Sequence, residues 1–159
     1  MNSFSRIREV LVSNPKLAAK LGLTTTSPCL GHGIVFQSRR GTAVKLTRET
    51  SEARIAKKFL GKELKHVVRV LGVHELVPRR AWLIEMELLH KKKAPAAVLR
   101  ECFAEGAREI FQVTRKLYTD MIPDNIMFCA RTQTYKIIDF EAMHACAARD
   151  FEELLADVI

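Results

Sequence analysis

Long hydrophobic runs are absent from this 159-residue sequence, and none approaches the ~18 residues of a membrane-spanning helix. An integral membrane protein is therefore not expected. The first residues, MNSFSRIREVLVSNPK, contain no apolar stretch of the kind found in secretory signals, so we expect a cytoplasmic protein with no membrane partner. The four cysteines include no CxxC pair, which argues against a zinc site or a redox dithiol and favours reduced, mostly buried thiols.

Aromatic and acidic residues are also scarce. Aromatics make up 7% of the chain and do not alternate with basic residues. Such alternation is typical of proteins on which the bases of single-stranded nucleic acid stack. The 18 Asp and Glu residues stand against 26 Lys and Arg, a formal charge of +8. This excess favours phosphate-rich or acidic partners. We expect a protein substrate or partner with an acidic surface; nucleic acid is an alternative that we do not favour.

The remaining composition, 48% hydrophobic and 28% charged, is that of a globular protein with a real core. Apolar residues at helical spacing predict two short helices before Gly22, with Asn14 as N-cap and Pro15 in the first turn. The same spacing predicts a helix over residues 51–64, a long helix over 95–117 and a C-terminal helix from Phe151.

β-rich runs lie between these helices. We predict strands over residues 34–37, 42–46, 66–76, 81–86, 126–128 and 135–138. The basic run His90-Lys91-Lys92-Lys93 predicts a solvated linker, with a nucleic-acid patch or a nuclear signal as the alternative. The predicted class is α+β, divided into a helical extension (1–22), a β-rich lobe with one crossover helix (23–89) and a helical lobe (90–159).

Two features of the β-rich lobe suit phosphate binding. In LGHGIVF the glycines Gly31 and Gly33 would let backbone amides approach phosphate oxygens. On the next predicted strand, AVKL places Lys45 within reach of the same phosphates. Taken alone, this pattern is weak, because Gly-x-Gly and a lysine on an edge strand are both common.

Three polar residues of the helical lobe complete the pattern. Asp120 and Asn125 stand five residues apart in DMIPDNIM, and Asp139 ends the predicted strand that pairs with the one after Asn125. Since a hairpin brings its two ends together, Asn125 and Asp139 can meet at one metal, with Asp120 nearby as a base. Oxygen donors of this kind suit Mg²⁺. Each residue taken singly also has an ordinary structural explanation, as a turn cap or a strand end.

With these motifs, the sequence from about residue 30 to 141 resembles the protein-kinase-like superfamily. LGHGIVF resembles its Gly-rich loop and AVKL its lysine strand. YTDMIPDNIM aligns without a gap on the catalytic loop, and IIDFE stands where DFG would be. IEMELL resembles the hinge that pairs with adenine, with Met86 as gatekeeper and with Glu87 and Leu88 supplying backbone contacts.

The resemblance implies a minimal bilobal kinase-like fold that binds ATP and Mg²⁺. Lys45 would hold the α- and β-phosphates, and Val35 would follow the Gly-rich loop at the nucleotide. Asp120 would orient or deprotonate the acceptor hydroxyl, while Asn125 and Asp139 would hold Mg²⁺.

The resemblance also implies a carboxylate that fixes Lys45. Glu52 is our choice, because EARIAKKFL resembles the EA-x-x-L pattern of aminoglycoside kinases and other atypical kinases. Glu52 lies only seven residues beyond Lys45, which demands a tight connection. Glu63 is the rival, at a more usual separation but beside the helix end.

Several departures from the kinase pattern shape the functional prediction. Tyr118 and Thr119 replace His-Arg before the catalytic Asp, Ile122 replaces a lysine, and Glu141 replaces the DFG glycine. Residues 142–159 are too few for a protein kinase's peptide-docking platform, so the expected C-lobe is truncated, close to the aminoglycoside-phosphotransferase and atypical branches.

The favoured function is an ATP-dependent phosphotransferase, a kinase acting on a hydroxyl, with protein Ser/Thr ahead of a small molecule. One alternative is a pseudokinase that acts as a binding or regulatory module toward another kinase or its substrate. A third reading is a basic nucleic-acid binder.

Overall fold

The computed structural model describes residues 3–30, 35–76 and 80–159. The chain forms two compact units: unit 1 comprises Met1–Gly61 and Val70–Leu88, and unit 2 comprises Lys62–Arg69 and Leu89–Ile159. Compared with the expected division, the N-terminal helices belong to unit 1 and residues 62–69 belong to unit 2. The described residues form five α-helices and a five-stranded antiparallel sheet, which confirms a mixed helix-and-sheet class.

Unit 1 is built around that sheet, whose strand order is β1-β2-β3-β5-β4. Its elements are α1 (Ser3–Ser13), α2 (Pro15–Leu21), β1 (Cys29–Leu30), β2 (Val35–Gln37), β3 (Thr42–Thr47), α3 (Thr50–Lys58), β4 (Val70–Leu76) and β5 (Ala81–Glu87). The two-residue strand β1 was not predicted, and it pairs with β2.

The two N-terminal helices pack against the sheet of unit 1. The break between them is as predicted: Asn14 is the N-cap of α2, Pro15 opens it and Gly22 is its C-cap. The buried apolar side chains of the helices join those of the sheet in one core, which contains Ile7, Val10, Ala18, Leu21, Phe36, Val44, Leu76 and Leu83. The helices are therefore part of the fold of unit 1.

Helix α3 is shorter than the predicted helix over 51–64, because it ends at Lys58. Phe59 closes it, with its N–H bonded to the Ala56 carbonyl at 3.0 Å, and Gly61 has a positive φ that no helix continues through. The predicted strand over 66–76 begins only at Val70.

Unit 2 combines one long helix with two small antiparallel sheets, β6–β9 and β7–β8. Its elements are α4 (Ala96–Thr114), β6 (Lys116–Tyr118), β7 (Ile126–Cys129), β8 (Thr134–Ile137), β9 (Met143–Ala145), α5 (Phe151–Val158) and two 3₁₀ turns, Pro123–Asn125 and Ala148–Asp150. The predicted hairpin is confirmed as β7–β8, in the register Ile126↔Ile137.

The predicted helix over 95–117 is too long at its C-terminal end. Arg115 adopts a left-handed conformation (φ 58°), which terminates α4 after Thr114. Leu117, expected on the apolar face of the helix, lies instead in β6 and pairs with His144 of β9, a strand that was not predicted.

Close packing fixes α4 on the rest of unit 2. A Cβ at Gly106 would lie 2.6 Å from Cδ1 of Ile137, so the absent side chain allows the helix to approach β8. The rings of Phe111 and Phe151 stack with centroids 4.2 Å apart and hold α5 against α4. In the described ranges, no helix is both long and apolar enough to cross a membrane.

All four cysteines are free thiols, but they are less buried than predicted. Cys102 and Cys129 are buried, whereas Cys29 is exposed and Cys146 is half-buried. Burial raises the pKa of the Cys102 thiol to about 12, and this thiol donates a hydrogen bond to the Tyr135 carbonyl at 3.2 Å. Cys102 is therefore an unreactive core residue.

Candidate functional site

A buried ion pair joins β3 to α3 in unit 1. Lys45 Nζ lies 2.5 Å from Glu52 Oε1, and the two side chains are only 7% and 1% exposed. The connection is as tight as the sequence demands, because α3 begins at Thr50 and its first turn directs Glu52 inward. Since two charges are costly to bury unless they are paired, this contact fixes the position of the Lys45 ammonium.

Glu63, the rival partner, lies in unit 2 and contacts a different cation. Its carboxylate pairs with Arg131 at 2.5 Å, and both side chains are about half exposed. The hydrogen bond and the charge of Arg131 hold the pKa of Glu63 below its usual range. The carboxylate that fixes Lys45 is thus Glu52.

The strands beside Lys45 carry further residues from the predicted nucleotide site. Val35 of β2 is opposite Lys45 in the sheet, and Ile84 of β5 is opposite it on the other side, so the three side chains share one face. Val35 is half-buried. Gly31 and Gly33, predicted to approach the phosphates, lie outside the described residues.

The three residues predicted to form the adenine hinge lie at the C-terminal end of β5. Met86 is buried and is opposite Ala43 in the sheet, which places it on the same face as Lys45. Glu87 is half-buried and opposite Thr42, and the half-buried Leu88 follows the end of the strand. Met86, Glu87 and Leu88 thus lie together at one end of β5.

In unit 2, Asp120 and Asn125 are in direct contact. The Asn125 Nδ2 group donates to Asp120 Oδ2 at 2.6 Å and to the Asp120 carbonyl at 3.0 Å. Asn125 is 8% exposed and ends the 3₁₀ turn that precedes β7. Because the nitrogen of the amide faces Asp120, its oxygen remains available as an acceptor or a metal ligand.

The β7–β8 hairpin brings Asp139 next to Asn125 along the backbone. The Ile138 N–H donates to the Asn125 carbonyl at 3.0 Å, which extends the ladder one step beyond Ile126↔Ile137. Asp139 follows directly, and its Oδ1 accepts the Glu141 N–H at 3.0 Å. This turn orients the Asp139 carboxylate.

Tyr118, which the sequence motifs indicate only as a replacement for histidine, contacts a residue of the candidate site. It is fully buried, and its hydroxyl accepts a hydrogen bond from Asn125 Nδ2 at 3.1 Å. Burial raises the pKa of the phenol; the Asn125 hydrogen bond opposes this, and the charges of Asp139 and Asp120 raise the pKa further. Tyr118 is therefore an uncharged phenol that contacts Asn125 and is influenced by the charges of Asp120 and Asp139.

The donor chemistry of unit 2 fits a hard divalent cation. Asn125 offers an amide oxygen and Asp139 a carboxylate, which are ligand types that Mg²⁺ takes from proteins. Neither a thiol nor an imidazole was predicted to take part, so the set does not resemble a zinc site.

Comparison with known proteins adds no assignment to this geometry. No protein-family model matches the chain, and a search of curated proteins finds no significant match. The kinase-like resemblance therefore depends on the sequence motifs alone.

Proposed function

We propose that this protein is an ATP- and Mg²⁺-dependent phosphotransferase of the kinase-like type, acting on a hydroxyl, with Ser or Thr of a protein as the acceptor. The buried Lys45–Glu52 ion pair carries the proposal. A buried ion pair is weak as a device for stability, because well-packed apolar residues are often at least as stabilising. We infer that its role here is to hold the Lys45 ammonium in position for phosphate.

The remaining roles follow from the contacts of each unit. In unit 1, Lys45 would bind the phosphates of ATP, with Val35 of β2, Met86 of β5 and the Glu87-Leu88 backbone at the end of β5 contacting the nucleotide. In unit 2, Asp120 would accept a hydrogen bond from the acceptor hydroxyl and hold it in line for attack. The hydroxyl oxygen forms a bond to the γ-phosphorus, the bond to the bridging oxygen breaks, ADP leaves, and the hydroxyl proton passes to Asp120.

Asn125 and Asp139 would hold Mg²⁺, with Tyr118 restraining the Asn125 amide. When bound, the ion would neutralise charge on the phosphate oxygens of ATP. The observation that favours this assignment is the orientation of Asn125, whose nitrogen is hydrogen-bonded to Asp120 and Tyr118. Both hydrogens of the amide are thereby directed away from the side where a cation would bind.

Asp120→Asn is expected to reduce phosphotransfer about 10²–10⁴-fold, because the amide cannot accept the hydroxyl proton. ATP affinity should change less than about twofold, since Asn retains an oxygen that can accept from Asn125. The measurement is transfer of labelled γ-phosphate from ATP to a library of Ser- and Thr-containing peptides, with Mg²⁺ present.

The matched control is Asp124→Asn, an exposed carboxylate four residues along the same loop, which should leave transfer unchanged. Equal transfer by the Asp120 variant and the wild type would contradict the role of Asp120. A wild-type protein that binds ATP but transfers nothing would favour the alternative function, a pseudokinase binding module.

Tyr118→Phe is expected to raise the Mg²⁺ concentration needed for half-maximal ATP binding about tenfold, because one of the two residues that orient the Asn125 amide no longer does so. Stability should fall by only about 1 kcal/mol, since Asn125 keeps its two bonds to Asp120. Titration of ATP binding with Mg²⁺ measures the effect. Tyr135→Phe, which removes a hydroxyl bonded to the exposed Lys93 carbonyl, is the control and should match the wild type. An unchanged Mg²⁺ requirement in Tyr118→Phe would mean that the phenol does not position Asn125.

A further inference from the structure

The net positive charge of the protein belongs almost entirely to unit 1. Unit 1 contains 13 Lys and Arg residues against 6 Glu and no Asp, a balance of +7. Unit 2 contains 13 Lys and Arg against 12 acidic residues, a balance of +1. The overall charge of +8 is therefore not a uniform property of the surface, and a partner attracted by it would meet unit 1.

The charge difference between the units is larger when only exposed side chains of unit 1 are considered. In the described part of unit 1, ten Lys and Arg side chains are exposed, whereas the exposed carboxylates are only Glu49 and Glu75. The other four Glu residues of unit 1 are buried or half-buried. The accessible surface of unit 1 is thus more positive than its sequence charge suggests.

Three of these cations form one face of helix α3. Arg54, Lys57 and Lys58 are exposed, while Ala53, Ile55 and Ala56 on the opposite side are buried. Residues three and four apart are neighbours on a helix surface, and Arg54 and Lys58 are separated by about 6 Å along the axis. Within the described chain, none of the three has a carboxylate at ion-pair distance. We call these three residues the α3 basic face.

The helix dipole of α3 does not account for all three positive charges of the α3 basic face. Lys57 and Lys58 lie in the last turn, where cations interact favourably with the helix dipole. Arg54 lies before that turn, so the dipole gives no reason for its charge. Like charges at neighbouring helix positions repel one another, which makes three cations without an acidic neighbour unfavourable for the isolated helix.

We propose that the α3 basic face is a docking surface for an acidic segment of a partner protein. The complementary charge would come from Asp and Glu side chains, which relieve the repulsion among Arg54, Lys57 and Lys58 when they bind. This inference does not depend on phosphotransfer, because the face does not include Lys45 or Glu52. It would serve equally to recruit a substrate or a regulatory partner.

A protein partner fits the face better than single-stranded nucleic acid does. Trp82 is the sole tryptophan of the chain, and Lys57 Nζ lies 4.5 Å from its ring centroid. The ammonium occupies one face of the ring, which leaves less of this ring for a base to stack on, and stacking supplies much of the affinity of single-strand binders.

The test compares two triple variants with the same change of net charge. Arg54→Gln/Lys57→Gln/Lys58→Gln neutralises the α3 basic face, and Lys91→Gln/Lys92→Gln/Lys93→Gln neutralises the exposed basic run of unit 2. Binding of a fluorescein-labelled poly-glutamate peptide is measured by anisotropy at low and at physiological salt. A single-stranded and a double-stranded oligonucleotide are measured in parallel. Thermal unfolding checks that both variants are folded.

We expect the α3 variant to bind the acidic peptide about tenfold more weakly than the wild type, as three exposed charge pairs would predict. The unit 2 variant should bind within about twofold of the wild type. Equal weakening of both variants would overturn the proposal, since it would show attraction by net charge alone. Binding of an oligonucleotide but not of the peptide would also overturn it and would assign the surface to nucleic acid.

Discussion

Replacing Glu52 by alanine is expected to destabilise the protein by about 3–5 kcal/mol, because the buried Lys45 ammonium would lose the carboxylate with which it pairs in unit 1. For a chain of this size, such a loss lowers the unfolding midpoint by roughly 6–20 °C. The effect would be among the largest of any single substitution outside the apolar core. Thermal unfolding of the purified variant, followed by circular dichroism, measures it.

Two further variants separate the stability effect from the functional one. Lys45→Met/Glu52→Leu removes both charges, so it should recover most of the lost stability, because apolar residues often replace a buried ion pair at little cost. It should nevertheless fail to bind ATP, since the phosphate-binding ammonium is gone. Glu49→Ala, an exposed neighbour whose side chain makes no cap hydrogen bond, should unfold within about 0.5 kcal/mol of the wild type. Wild-type stability in Glu52→Ala would contradict the buried pair.

Asp139→Asn is expected to weaken Mg²⁺ binding and so to raise the Mg²⁺ concentration that ATP binding requires. The substitution deletes the one negative charge that we assign to the metal, and ligand charge is a main determinant of affinity for hard cations. We expect the Mg²⁺ requirement to rise about 10- to 100-fold. The fold should be retained, because the Asn oxygen can still accept the Glu141 N–H that orients this side chain.

Asp157→Asn is the matched control for this substitution. Asp157 is an exposed residue of α5 in the same unit, and replacing it by Asn removes one negative charge without changing a residue of the proposed site. Its ATP and Mg²⁺ titrations should match those of the wild type. If both variants changed the Mg²⁺ requirement equally, the effect would be one of surface charge and Asp139 would not be a ligand.

Local patterns in the sequence were sufficient for several parts of the fold. Pro15 in the first turn and the left-handed Gly22 at the C-cap set the bounds of α2, because proline and glycine geometry act within a few residues, whereas Asn14 occupies the N-cap position without a side-chain cap hydrogen bond. The β7–β8 hairpin was predicted for the same reason, and with it the proximity of Asn125 and Asp139 along the backbone. These features are determined by neighbours in the chain.

The parts that were wrong or missed depend on distant contacts. Helical spacing continues through Leu117, but pairing with β9 makes that segment a strand, and the two strands are more than 20 residues apart in sequence. Tyr118 was consequently not recognised as a partner of Asn125, since its hydroxyl reaches the amide only once β6 has formed.

The partner of Lys45 is a similar case. Sequence separation favoured neither Glu52 nor Glu63 decisively, because the outcome depended on where α3 ends and on which unit the following residues join. Helix α3 ends at Lys58, and Glu63 belongs to unit 2, where it contacts Arg131.

Thermal unfolding of the wild type and of Asp139→Asn with ATP, in the presence and absence of Mg²⁺, tests the central claim most directly. Nucleotide at 100 times its dissociation constant adds about 2.7 kcal/mol, which corresponds to a rise of about 5–11 °C in the unfolding midpoint. We predict a rise of this size that requires Mg²⁺ in the wild type and is largely lost in Asp139→Asn. A wild-type midpoint that does not respond to ATP and Mg²⁺, or an equal rise in both proteins, would contradict the proposed metal–nucleotide site.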